Sequence, residues 1–308
     1  MSPLKLVVSQ SDNPSANLAW EEYFLKNSHE DYLLFYVNRP SVIIGKHQNP
    51  WREVNLSFCK KNNIDIHRRL SGGGAVYHDF NNINFSYIRS KPTDFVNFKE
   101  HITPISMALK QLGVNNHITE RNDIFIDDKK ISGNAEHVDN TRKRILHHGT
   151  LLCDSDLYKL RAALKTEIEG INTHAVDSVR SSVTTISEHL KGHTTQEILE
   201  KLIASISNQL KLDSKNEFDP STQPEIQKLI RDKFNQWDWN YGHSPQFEYK
   251  TNQHSVTVRR GKITAISSTA YSEDQISNLI GQRYRKQDLY NIAKEDLHNL
   301  IQEICLDS

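Results

Sequence analysis

His67-Arg68-Arg69-Leu70-Ser71-Gly72-Gly73-Gly74-Ala75-Val76-Tyr77-His78-Asp79 is the stretch on which the reading of this chain turns. Three consecutive glycines let a backbone approach a ligand closely and adopt positive φ. Their N–H groups can form a nest that cradles an anion. Arg68 and Arg69 stand just before them, so the stretch suits a phosphate or a carboxylate. Taken alone it equally suits a tight strand–strand turn with a solvated basic edge. It is not a P-loop, because the spacing and the Lys-Ser/Thr ending are missing.

Two further constellations lie downstream. Arg121-Asn122-Asp123 is followed by Lys129-Lys130-Ile131-Ser132-Gly133-Asn134-Ala135. A lysine in a short strand beside Ser-Gly can be held rigidly, and a fixed cation can stabilise charge developing on a carbonyl or phosphate oxygen. The bland alternative is a solvated hairpin turn. The third constellation is Leu146-His147-His148-Gly149-Thr150-Leu151-Leu152. Adjacent strand residues face opposite sides. At most one of these histidines faces a given pocket, and a metal site from the pair is not expected.

The bulk properties fit this picture. With 308 residues the chain can hold one large domain and a small one. Lys+Arg is 38 and Asp+Glu is 38, so the basic excess of a nucleic-acid binder is missing. No apolar run is long enough to span a bilayer, and the first twelve residues lack a secretory or mitochondrial import pattern. Cys59, Cys153 and Cys305 are odd in number and widely spaced, which predicts a reducing compartment and no zinc or disulfide framework.

Patterning predicts strands over residues 4–9, 32–37, 41–45, 65–69, 76–78, 83–88 and 146–153. The 32–37 and 41–45 pair reads as hairpin-like, and residues 124–132 as a hairpin around Asp127-Asp128. Helices are expected near residues 17–25, 55–63, 98–112, 157–164, 195–210, 226–234, 272–280 and 289–304. Residues 246–259 and 262–268 read as an antiparallel pair turning at Arg260-Gly261. Short strands interleaved with helices, without strict βαβ alternation, predict a mixed sheet backed by helices. The expected division is a catalytic domain at 1–213, a polar linker at 214–225 and a small domain at 226–308.

Taken together and in this order, the motifs resemble the lipoate–protein ligase A family. That family carries Arg-Arg-x-Ser-Gly-Gly-Gly-x-Val-x-His-Asp, then Arg-Asn-Asp, Lys-Ile-Ser-Gly-x-Ala and His-His-Gly-Thr-Leu-Leu. The resemblance extends upstream to Pro40-Ser41-Val42-Ile43-Ile44-Gly45-Lys46-His47-Gln48-Asn49. Downstream it takes in Asp177-Ser178-Val179-Arg180-Ser181, Trp237-Asp238-Trp239-Asn240-Tyr241-Gly242 and Pro245-Gln246-Phe247. It implies an α+β fold: a mixed, largely antiparallel sheet with flanking helices, as in biotin/lipoyl ligases, plus a small α+β C-terminal domain.

The resemblance also implies a chemistry. Lipoate and ATP would give lipoyl-AMP, and a carrier-domain lysine would then take the lipoyl group. Lys130 is the implied catalytic residue. Gly73, Gly74 and Ala75 would offer backbone to the adenylate, with Ser71, Gly72, Val76 and Asn82 in the same binding set. Arg69 would sit by the lipoyl tail or its carboxyl end, and His78 and His148 would flank its pocket, beside Gly149. Asn122 and Asp123 would serve the nucleotide or Mg²⁺, which the nucleotide itself mainly holds. Gly133 and Ala135 would pack near it, and Ser178, Val179, Arg180 and Ser181 would close over the adenylate. Trp20, Val42, Ile44 and Tyr77 are candidate walls of an apolar tunnel. The implied partners are apo lipoyl domains of 2-oxoacid dehydrogenase E2 subunits or the glycine-cleavage H protein, with no nucleic acid and no membrane. A cytoplasmic monomer is expected, mitochondrial in a eukaryote.

Two departures stand out: Asn81 where the family often has glycine, and Thr185 where its loop commonly has asparagine. Four rival readings follow. One is a lipoyltransferase that takes preformed lipoyl-AMP or a lipoylated donor. Another is a transferase acting through a Cys153 thioester. A third is a decayed ligase that only binds lipoyl domains. The last is a biotin ligase on the same fold.

Overall fold

The computed structural model describes residues 3–90, 97–164, 168–212 and 215–306. Along the chain run β1 (Leu4–Ser9), β2 (Asp31–Val37), β3 (Ser41–Ile44), β4 (Asp65–Arg68), β5 (Val76–His78), β6 (Asn82–Ser90), β7 (His117–Ile118) and β8 (Ile124–Ile126). They continue with β9 (Lys129–Ser132), β10 (Asn134–Asp139), β11 (Arg144–Leu152), β12 (Ile171–Thr173), β13 (Lys215–Phe218), β14 (Phe247–Lys250), β15 (His254–Arg259) and β16 (Lys262–Ser268).

The central sheet has the order β10-β11-β6-β2-β1-β13. Its first three pairings are antiparallel, and the two involving β1 are parallel. Both faces are buried, which is why β2 reads as a continuous apolar run rather than an alternating one. Leu33, Phe35, Phe85 and Tyr87 turn to a core shared with the helices Phe98–Gln111 and Thr195–Leu210. Tyr32, Leu34, Ile88 and Leu146 turn the other way, onto the helix Pro14–Asn27. That helix starts where the Asn13 side chain accepts from the Ser15 N–H, with Pro14 in the first turn. The Thr195–Leu210 helix opens on a reciprocal Thr194/Glu197 capping box and buries Ile198, Leu199, Leu202, Ile203 and Ile206 at helical spacing.

Two three-stranded sheets, β4-β3-β5 and β7-β8-β9, flank the first. The hairpin expected from residues 32–45 does not form. β2 stays in the central sheet, while β3 pairs with β4 and β5. The break lies at Asn38, which is buried and bonds Asn17 and His78 instead of closing a turn. The stretch expected to be a linker, 214–225, also differs. Its residue 214 lies outside the described residues, and β13 runs parallel to β1 as the sheet's edge. Ile226 and Phe234 then pack on the Pro14–Asn27 helix, in the core with Trp20.

A separate core gathers Phe247, Val256, Val258, Ile263, Tyr284, Leu300 and Ile301 under the sheet β12-β14-β15-β16. Residues 246–259 break into β14 and β15, and β15 turns into β16 through Arg260 and Gly261, both at positive φ. The helix expected at 289–304 is interrupted: one helix, Lys286–Tyr290, ends near its start, and another, His298–Ile304, covers its end. Trp51 crosses from the larger unit to stack among Tyr241, Phe247 and Tyr284. Among the described residues no helix is long and apolar enough to cross a membrane.

Candidate functional site

The glycine-rich stretch folds around Arg69. Its Nε donates to Ser71 Oγ at 2.9 Å, one terminal nitrogen to the Ile43 carbonyl at 3.0 Å, and the other to the carbonyls of Gly72 and Gly74 at 2.6 and 2.8 Å. The buried guanidinium therefore occupies the loop's carbonyls from behind and ties down its shape. Burial pushes its pKa down to about 10, so it stays cationic. Arg69 lines the cavity described below, as expected, but most of its donors serve the loop. Gly73 has φ +84°, and Gly45 packs so closely that a Cβ there would lie 2.1 Å from the Gly73 carbonyl oxygen. Only glycine permits both.

Arg68 faces the other way and has no part in the cavity. It donates to the carbonyls of Gly45, Lys46 and Gln48, and to the Asn240 carbonyl and Ser244 Oγ. Asn240 Oδ1 accepts from the Arg68 N–H, and Trp239 Nε1 donates to the Arg68 carbonyl. The Trp-Asp-Trp-Asn segment is thus a docking element for β4. Burial pushes Arg68 down to about 9.

Lys130 sits on β9. Its Nζ lies 3.0 Å from Asp123 Oδ2. Its backbone N–H donates to the Ser182 carbonyl and its carbonyl accepts from the Thr184 N–H, so the 182–184 segment pins it. A Cβ on Gly133 would come within 3.1 Å of Lys130 Cε, so the lysine lies across the glycine. Asn122 adopts φ +64°, and its carbonyl accepts from Asn134 Nδ2. Arg-Asn-Asp is thus a left-handed turn that delivers Asp123 to the lysine; Asn122 itself lines neither of the two cavities described below.

The loop after β12 docks on the glycine turn. Ser178 Oγ accepts from the Ala75 N–H at 2.9 Å and from Gln48 Nε2 at 3.0 Å, while Glu53 accepts from the Ser178 N–H. Val179 is exposed although apolar. Thr185 faces Ser187, and Asn81 is absent from the positive-φ residues among those described, so its turn needs no glycine.

Two cavities meet here. One of about 840 Å³ is lined by residues including Arg52, Tyr77, Leu160, Arg161, Arg180 and Ser181. The other, about 310 Å³, is lined by residues including Leu18, Tyr36, Ile43, Arg69, His78, Ala135, His148 and Gly149. Lys130, Gly133, Ala75, Val76, Ser178 and Val179 line both. Asn82 lines neither; it bonds Asn84, which does line the smaller one. Ser71 acts through His148, and Gly72 also stays behind the lining. Among the expected walls, Tyr77 lines the larger cavity. Trp20, on the Pro14–Asn27 helix, packs in the core with Ile226 and Phe234, and Val42 and Ile44 are core residues because strand parity turns Ile43 to the cavity and its neighbours away.

The wall of the smaller cavity is a hydrogen-bonded chain. His148 Nδ1 lies 3.1 Å from the Glu21 carboxylate and Nε2 lies 2.5 Å from Ser71 Oγ. A carboxylate only accepts, so Nδ1 donates to it, and in the neutral ring Nε2 accepts from Ser71. Tyr36 and Ser86 also donate to Glu21. Burial works to raise the Glu21 pKa, but His148, Ser86 and Tyr36 outweigh it and hold the group ionised. His78 Nδ1 lies 3.0 Å from Asn38 Nδ2 and accepts from it, which leaves an Nε2–H without a protein partner. Burial, aided by Arg69, pushes His78 down to about 3, so it is a neutral donor. Gly149 stands beside them where a Cβ would fall 2.2 Å from Asn134 Oδ1 and 2.4 Å from the Phe85 ring.

Sequence reasoning missed Glu21 and Asn38. The available signal was a charged residue, Glu21, inside the apolar face of a helix. Asp123 is ion-paired with Lys130, and the one trio of metal-ligating groups found among the described residues lies elsewhere. Cys153 sits in the core, where burial raises its thiol pKa strongly, which removes it as a nucleophile.

The family model for the lipoyl protein ligase A/B catalytic domain matches residues 13–207. Lipoate-protein ligase LplJ of Bacillus subtilis is 38% identical, over 94% of this chain and 97% of its own length. Among solved structures, a lipoate-protein ligase A bound with ATP is 28% identical with a TM-score of 0.65, covering 79% of this chain and 100% of that one. A bipartite lipoate protein ligase from Thermoplasma acidophilum, described with its E2 lipoyl domain, is 27% identical with a TM-score of 0.65, covering 79% of this chain and 98% of the other. The glycine turn, the pinned lysine and the histidine wall thus occur in a chain that matches these proteins in sequence and in fold: it belongs to the lipoate–protein ligase family.

Proposed function

We propose that the protein is an ATP-dependent lipoate–protein ligase. The carrying observation is the position of Lys130, a residue that lines both cavities. A reaction that couples an acyl group to a nucleotide needs one cation that reaches both, and this site has it. The smaller cavity, with Leu18, Ile43 and Val76 beside His78 and His148, suits lipoate. The larger one suits ATP.

In the first step a lipoate carboxylate oxygen attacks the α-phosphorus, the bond to pyrophosphate breaks, and lipoyl-AMP forms. In the second, a neutral lysine amine of the carrier attacks the acyl carbon, the bond to AMP breaks, and the amine's proton is lost. Lys130 stabilises oxygen charge in both. The N–H groups of Gly73 and Gly74 in the Arg69-braced turn offer donors without reorganising, whereas that of Ala75 is taken by Ser178, and the neutral His78 Nε2–H offers another. Mg²⁺, held mainly by the nucleotide with Asp123 nearby, would neutralise charge on the phosphates. The exposed 178–181 loop beside the site suits closure over the adenylate. The carrier is an apo lipoyl domain, as the name of the archaeal relative indicates for that protein, and the setting is the cytoplasm.

The test is lipoate-dependent release of pyrophosphate from ATP, with mass spectrometry of an added apo lipoyl domain. Pyrophosphate release together with a lipoyl mass shift on one lysine is expected. Transfer from synthetic lipoyl-AMP without pyrophosphate release would select the transferase reading.

A further inference from the structure

Four buried polar atoms without a hydrogen-bond partner gather on the reverse face of the central sheet: Tyr87 Oη, His101 Nδ1, Glu136 Oε2 and His147 Nε2. Tyr87, His147 and Glu136 stand directly opposite one another on β6, β11 and β10, so their side chains share one face. His101 comes down on them from the Phe98–Gln111 helix, its ring 4.9 Å from that of His147 and 5.1 Å from that of Tyr87. Glu136 Oε1 lies 2.8 Å from His147 Nδ1 and 3.4 Å from His101 Nδ1.

The rings of Phe85 and Phe98 pack against His147, so the place is dry. Among the described residues the ion-pair partners of Glu136 are these two histidines. The buried carboxylate keeps one oxygen without a partner, and each orphaned polar atom adds to the cost.

We propose that His101, Glu136 and His147 form a structural site for a divalent transition-metal ion, zinc being the best fit. One ligand atom from each of the three lies within 4.8 Å of the others. Two nitrogens and a carboxylate oxygen are a set zinc favours over magnesium or calcium. Two ligands on ~2.0–2.1 Å bonds to a tetrahedral ion stand about 3.4 Å apart. The His101–Glu136 distance already matches this, the His147–Glu136 pair must open by about 0.6 Å, and the two histidine nitrogens, within 4.8 Å, must settle to the same spacing. Tyr87 Oη or a water completes the shell. The ion cross-links a helix to β10 and β11 directly behind the cavity wall, one residue from both Ala135 and His148. It stands apart from the ligase chemistry and does not depend on the ligase reading.

The test uses the full, untagged chain stripped with dipicolinate and titrated with Co²⁺, then Zn²⁺. One equivalent of Co²⁺ with tetrahedral d–d absorption, displaced by Zn²⁺, is expected, together with a melting temperature that rises with Zn²⁺ concentration. E136Q and H101Q should each weaken binding at least about tenfold. H254Q, which removes a histidine beside Glu303 in the other unit, should leave it unchanged. Absence of cobalt absorption and of any zinc-dependent melting shift in the wild-type chain would overturn the proposal and leave a hydrogen-bonded His–Glu–His network. Binding that survives H101Q and E136Q would overturn it as well.

Discussion

Replacing Lys130 with alanine should separate catalysis from stability. The ammonium lies 3.0 Å from Asp123, and the two side chains keep 23% and 14% of their exposure. A partly exposed pair of this kind contributes about 0.5–1 kcal/mol to folding. The backbone bonds that pin β9 to Ser182 and Thr184 do not involve the side chain and survive the change. The chemical step loses far more. Removing one fixed donor from a developing oxyanion costs about 10²–10³ in rate, or 2.7–4 kcal/mol, and Lys130 is assigned to both half-reactions. The assay follows pyrophosphate release with lipoate and ATP, and separately transfer from synthetic lipoyl-AMP, alongside a urea melt. Both rates should fall by at least about a hundredfold while the urea midpoint barely moves. K130A/D123N removes the stranded carboxylate, so it should regain the lost stability and none of the activity. K130R should not rescue, because Gly133 already lies within contact of the lysine stem and a guanidinium needs more room. Turnover of K130A within about threefold of wild type would refute the reasoning.

Gly149→Ala places a methyl against the Phe85 ring and Asn134. It should lower stability by about 1–3 kcal/mol, read as a shifted denaturant midpoint with unchanged slope. Glu21→Gln weakens the support of His148, and lipoate affinity should drop about tenfold, the value of one charge-assisted hydrogen bond, as titration calorimetry would report. The Glu21 pKa is lowered in the folded state, so its stabilisation is present above the unfolded value of about 4.3 and fades as pH falls through the folded one; E21Q should flatten that acid limb. His67 and His78 are held neutral, pushed by burial to about 4 and about 3. Their stabilisation is complete above the unfolded value near 6.5 and declines below it, by up to about 1.4 kcal/mol per pH unit each. Urea melts between neutrality and mild acid should show this slope, and H78N should make it shallower. Arg68→Lys loses the fork that joins the 45–48 turn to Asn240 and Ser244, and it should cost at least about 3 kcal/mol, seen as earlier exposure of Trp51 fluorescence.

The site divides cleanly between what neighbours in the chain decide and what distant segments decide. The glycine run, the helix at 195–210 and the alternation that sends His147 and His148 to opposite faces are all local. They follow from φ preferences, helical spacing and a period of two, and each was legible in the amino-acid order. The motif order carried the family as well. Parity relative to the cavity was not legible, which is why Ile43 lines it while Val42 and Ile44 do not. Nor could local pattern show that Asn38 would be spent on Asn17 and His78 and so divert β3 into another sheet, or that β13 would close an edge. The two arginines make the point most plainly. Adjacent in the chain, they have the same charge and the same local context. One braces the ligand turn and the other joins two units, because their partners at residues 43–48 and 240–244 arrive from elsewhere in the chain. Burial of charge is settled by those long-range contacts, and only the tertiary structure contains them.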